Sequence, residues 1–104
     1  MNYKVQRTIR AKEQLYAITR YITLDSGSKE IAERVLDKLE GAIMLLGIMP
    51  HMGSTPQQTI LREQGYRVVI VDKRYLIFHK VNDAAKRVTV YNVVDTRRDY
   101  TYLV

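Results

Sequence analysis

"YRVVIVDKRYLIFHKVNDAAKRVTVYNVV" (Tyr66–Val94) is the stretch that decides the fold. It holds three runs, Tyr66–Asp72, Arg74–Val81 and Arg87–Val94, each rich in β-branched and aromatic residues. Such side chains fit a pleated, half-buried surface. The connections between them, "DK" and "NDAAK", are polar and of hairpin length. The stretch therefore predicts three antiparallel strands in meander order.

Upstream the period changes. Ala32, Val35, Leu39, Ala42 and Leu46 step by three and four, and Leu36 and Ile43 widen the stripe. This spacing predicts a helix from about residue 29 to 47, ended by Gly47 and Pro50. Ala11, Leu15, Ile18 and Ile22 predict an earlier amphipathic helix over residues 9–24. "LDSGSK" separates the two: Gly27 can take a positive φ, and Ser26 or Ser28 can cap the second helix. "PHMGSTPQQT" reads as loop, and Tyr3–Arg7 alternates as a short first strand.

The expected architecture is α+β in the order β-α-α-β-β-β, a helical hairpin packed on a small antiparallel sheet. One domain is expected over residues 1–104. The first strand joins the sheet at an edge or in the centre. The far face is left free or partly covered by the C-terminal tail.

Composition narrows the function. Apolar residues make up 46% of the chain, enough for a packed interior and too many for a disordered one. There are no cysteines, which excludes disulfides and thiolate metal sites. No apolar run resembles a signal peptide or approaches the roughly 20 residues that span a bilayer. A cytoplasmic protein with no membrane partner is expected. The net charge of +6 is uneven. Residues 1–24 carry five bases and one acid, residues 25–56 three and five, and residues 57–104 nine and five. A positive surface suits an anionic partner, either nucleic acid or an acidic protein.

The chemistry concentrates at the end of the chain. In "VYNVVDTRRDYTYLV" a strand runs into Arg97, Arg98, Tyr100 and Tyr102. Guanidiniums grip phosphates or carboxylates bidentately, and phenols stack or dock. A plainer role is open to each: Arg98 and Asp99 pairing on the surface, Arg67 covering the sheet with its stem, the two tyrosines burying their rings. His51 stands in a loop and His79 in a strand, with no carboxylate at ligand spacing. No metal site follows from them. No glycine-rich phosphate loop is present, and no cofactor is expected.

Read together, these segments resemble the RelE/ParE superfamily of bacterial type II toxins. "LYAITRYITLDSGSKEIAERVLDKLEGAIMLLGIMPHMG" is similar to the ParE-type helical hairpin, closing on Leu46, Pro50 and Gly53. "GYRVVIVDKRYLIFHKV" resembles the central hairpin of the family, and the Arg-Arg-Asp ending resembles its last strand. The resemblance implies a toxin neutralised by a cognate acidic antitoxin. Its target is DNA gyrase in ParE-like members, or the ribosome and mRNA in RelE-like ribonucleases. For the ribonuclease it implies Arg67, Arg97, Tyr100 and Tyr102 as catalytic groups. Thr101 falls where a tyrosine is expected, and the loop "MGSTPQQTILREQG" has Arg62 but no lysine. Both departures favour the ParE-like reading, with Arg97, Arg98, Tyr100 and Tyr102 contacting the target. A degenerate, non-toxic binding domain is the third reading. Direct contact with operator DNA is not expected.

Overall fold

The computed structural model describes residues 2–98. The chain runs β1 (Lys4–Arg7), α1 (Ile9–Ser26), α2 (Lys29–Leu45), α3 (Thr59–Glu63), β2 (Arg67–Val71), β3 (Tyr75–Asn82) and β4 (Arg87–Asp95). This is the expected order with one short helix added. The sequence offers little sign of α3: its five residues include no buried one, and the side chain of Gln58 at its start does not cap it.

Local chemistry sets the ends of the hairpin helices. Thr8 accepts the Ala11 amide, 3.1 Å away, and starts α1. Gly27 ends it in the left-handed region at φ 69°. Ser28 then accepts the Ile31 amide and starts α2. Ala11, Leu15, Ile18 and Ile22 of α1 are buried, with Ala32, Leu39 and Ile43 of α2. They meet Val69, Tyr75, Ile77, Val88, Val90 and Val93 of the sheet in one core. Salt bridges Arg7–Glu40 and Lys38–Asp72 fasten α2 to β1 and to the β2–β3 turn.

The sheet order is β1-β4-β3-β2. β2, β3 and β4 form the predicted meander. β1 takes an edge and lies parallel to β4, so the sheet is mixed and mostly antiparallel. The turn "DK" places both Asp72 and Lys73 at φ 55°, the left-handed pair that suits a two-residue hairpin. At the other turn Asn82 accepts the Ala85 amide.

β4 is the longest strand and carries a bulge. Asn92 pairs with Phe78 and Val90 with His79, which leaves Tyr91 as an extra residue. The insertion shifts the alternation by one, so Val88, Val90 and Val93 all face the helices. β1 ends opposite Val90, and beyond that point β4 would present bare polar groups. The start of α1 covers them. The Thr8 hydroxyl donates to the Tyr91 carbonyl, and the Val93 amide donates to Gln14 Oε1 at 2.8 Å.

The far face of the sheet divides in two. Val68, Phe78 and Val94 form a second apolar cluster, flanked by Leu61 of α3, Tyr66 and Leu76. Apart from exposed Ile70 beside Leu76, the rest of this face is polar and open.

Ser54 bridges Val68 on the outer side of β2. This contact explains Gly53, which sits at φ +95° with the ideal Cβ position only 2.3 Å from the Val68 carbonyl oxygen. Gly53→Ala should therefore push the loop off the sheet and lower stability by at least about 1 kcal/mol, the size of left-handed strain alone. Thermal unfolding of the variant checks this.

Candidate functional site at the end of β4

The two arginines of the sequence motif follow a buried acid. β4 carries Asp95 into the interior opposite Tyr75, with its side chain fully covered. A carboxylate there needs a partner. Arg74, the residue before β3, supplies a two-pronged one: its Nε and one terminal nitrogen each donate to a separate Asp95 oxygen at 2.8 Å. The Arg97 amide donates to Asp95 Oδ1 at 3.1 Å, and the Arg98 amide to the Asp95 carbonyl at 3.0 Å. Thr96 donates its amide to the Arg74 carbonyl. One carboxylate thus folds "DTRR" into a tight turn and seats it on the β2–β3 hairpin.

Burial pushes the Asp95 carboxyl upward, but Arg74 and the turn amide outweigh it, and the carboxyl lies below its ordinary value. The Arg74 guanidinium also lies over the Tyr75 ring, 5.1 Å from its centre.

Arg97 and Arg98 are exposed. The Arg98 guanidinium stacks over Tyr21 of α1 at 4.2 Å. The site is therefore a rigid turn that holds two cations at one end of the sheet, one of them on an aromatic platform. Phosphates and carboxylates are its natural ligands. Tyr100 and Tyr102 lie outside the described residues.

Arg67 lies elsewhere. It pairs with His79 on β3, whereas Asp95 pairs with Tyr75. Four strand positions separate the two levels, roughly 13 Å at about 3.3 Å per residue. Arg67 points toward the helical face and donates to the Gly53 carbonyl at 3.0 Å. The structure brings Arg97 and Arg98 together and leaves Arg67 apart from them.

Neither histidine joins the turn. His51 binds Asp83 at 2.9 Å, beyond the opposite end of β3. His79 is fully buried, and neither ring nitrogen has a hydrogen-bond partner of good geometry. Burial holds its pKa below the ordinary value, against the backbone at Pro50 and Ile77. Among the described residues no cluster of His, Asp and Glu could hold a metal ion. Sequence reasoning missed Arg74 and Asp95. The available signal was an acid placed directly after two valines of a buried strand.

Arg74→Ala takes the guanidinium from a buried carboxylate, Asp95, and should cost about 3 kcal/mol in chemical denaturation. A neutral buried His79 makes folding less favourable as the unfolded chain takes up its proton. Stability should therefore be full above about pH 6.5 and fall as pH drops toward 5. His79→Leu should flatten that slope in thermal melts. Asp95 acts lower: its contribution is present above about pH 3.9 and is lost as pH falls through its depressed native pKa.

The family model described as "ParE toxin of type II toxin-antitoxin system, parDE" matches residues 5–100. A chain of the chromosomal ParDE system from P. aeruginosa superposes with TM-score 0.73, covering 89% of this chain and 95% of that one at 15% identity. A chain of the RelBE2 toxin–antitoxin complex from Mycobacterium tuberculosis gives TM-score 0.64, covering 91% and 92% at 19% identity. A mutant of the E. coli toxin RelE in the free state gives 0.61, covering 99% and 93% at 13% identity. At such identities the structural likeness speaks for the fold. No curated protein matches the chain in sequence.

Proposed function

Since the chain belongs to the ParE toxin family of type II toxin–antitoxin systems, we propose that it arrests growth by inhibiting DNA gyrase and is neutralised by a cognate antitoxin. The family match over residues 5–100 carries this reading. Solved relatives of the fold come from ParDE and RelBE toxin–antitoxin systems, which supports an antitoxin partner. An acidic antitoxin suits a chain of net charge +6, and the two proteins would meet in the cytoplasm. Among the described residues no helix is long and apolar enough to cross a membrane.

Within this reading Arg97 and Arg98 are target contacts. The Asp95 turn fixes their backbone before binding, so little ordering cost remains. RNA cleavage is supported less. It needs a proton acceptor, a proton donor and a cation around one phosphate. Arg67 stands apart from Arg97, and His79 is sealed in the core.

Purified protein should inhibit gyrase supercoiling, and free expression should induce a DNA-damage response with filamentation. Arg97→Ala with Arg98→Ala should weaken inhibition by tenfold or more, equivalent to about 1.4 kcal/mol, while leaving the melting temperature nearly unchanged. Unimpaired supercoiling at micromolar protein overturns the proposal. Codon-spaced cuts in translated mRNA would replace it with the ribonuclease reading.

A further inference from the structure

The open part of the far sheet face has a charge pattern that the proposed function does not use. Lys4 pairs with Arg87, Gln6 with Thr89, and Lys80 with Thr89, and all of them point away from the helices. Tyr66 and Tyr91 join them at the level of the bulge. Their rings meet edge to face, with centroids 5.5 Å apart and an interplanar angle of 82°. The Lys80 ammonium lies 4.5 Å from the centre of Tyr66 and 5.3 Å from that of Tyr91.

That arrangement positions a cation without neutralising it, because ring faces attract Lys80 and carry no net charge. No carboxylate among the described residues pairs with Lys80. Asp83 alone borders the area, and it already accepts from Tyr3 at 2.6 Å and meets His51 at 2.9 Å. The acid-rich segment, residues 25–56, includes α2 on the opposite face of the sheet.

Two shallow open depressions share Tyr91 as the ridge between them. One, of about 500 Å³, takes in Gln6, Lys80, Arg87 and Thr89. The other, of about 390 Å³, takes in Arg10, Tyr66 and Asn92.

We propose that this face binds a single-stranded nucleic acid, its phosphates along Lys4, Lys80 and Arg87 and its bases on Tyr91 and Tyr66. Paired cations without counter-ions select a polyanion. The tyrosine pair selects one whose π faces are accessible, which a duplex keeps inside its stack. An acidic peptide would satisfy the cations and leave both rings idle. The bulge at half-buried Tyr91, whose ring meets Tyr66, is therefore also a binding device.

The test is fluorescence anisotropy of the full chain with labelled dT12 and rU12, each followed against salt concentration. A blunt 12-base-pair DNA duplex and a twelve-residue oligoglutamate serve as comparisons. Tighter binding of either single strand than of both comparisons is expected, and the ratio of dT12 to rU12 tells which sugar is preferred. Lys80→Met keeps the stem and removes the charge. It should weaken binding several-fold and lower the salt slope by about 0.7, one phosphate contact on a single strand. Tyr91→Leu should lose about tenfold with its slope unchanged, as one stacked base is lost. Lys29→Gln, on α2 behind the opposite face of the sheet, should bind as wild type. Oligoglutamate or duplex binding as tightly as the single strands would sink the proposal. So would absent binding, or variants indistinguishable from wild type while circular dichroism shows them folded.

Discussion

Asp95 is the one carboxylate buried among the described residues, and the C-terminal side of the sheet is organised around it. An ionised group without water must find its whole complement of hydrogen bonds nearby. Arg74 provides two and the Arg97 amide a third. Because those donors lie on the β2–β3 hairpin and on the turn that follows β4, the pairing locks three segments into one geometry. Replacing such a pair by apolar residues can leave stability unchanged, so its value lies in the specific turn it imposes. Arg97 and Arg98 emerge from that turn in opposite settings, one in solvent and one resting on Tyr21.

The helical hairpin and the meander were legible in the sequence because both write a strong period. All four residues of the α1 stripe are buried, as are Ala32, Leu39, Ile43 and Leu46 of the α2 stripe and its extension. What escaped reading depends on contacts distant in sequence. Four residues cannot declare whether β1 runs parallel or antiparallel to a partner more than 80 positions away. The bulge at Tyr91 changes which side chains face inward, and a period of two does not announce its own interruption. Nor does local pattern tell that Arg67 faces the helices and binds the Gly53 carbonyl.

At the site, the exposed arginine pair was visible as composition, whereas the acid that shapes it was not. A lone Asp at a strand end suggests surface; the two valines before it are a faint local sign, and the register with Tyr75 places it in the interior. Arg74 was equally ambiguous, since an arginine beside a hairpin turn ordinarily belongs to solvent. Buried ion pairs of this kind join residues of unremarkable local pattern, and their meaning appears only when the strands are aligned.

The parallel union of β1 with β4 has a consequence for the order of events during synthesis. β1 and α1 are made first, but the groups that complete them, the Tyr91 carbonyl and the Val93 amide, arrive on the final strand. Until β4 emerges, the edge of β1 and the Thr8 and Gln14 side chains at the start of α1 lack these partners. Contacts of such long sequence separation form slowly and late. A nascent chain therefore stays topologically incomplete until β4 is made, and the arginine turn can form only as the sheet closes.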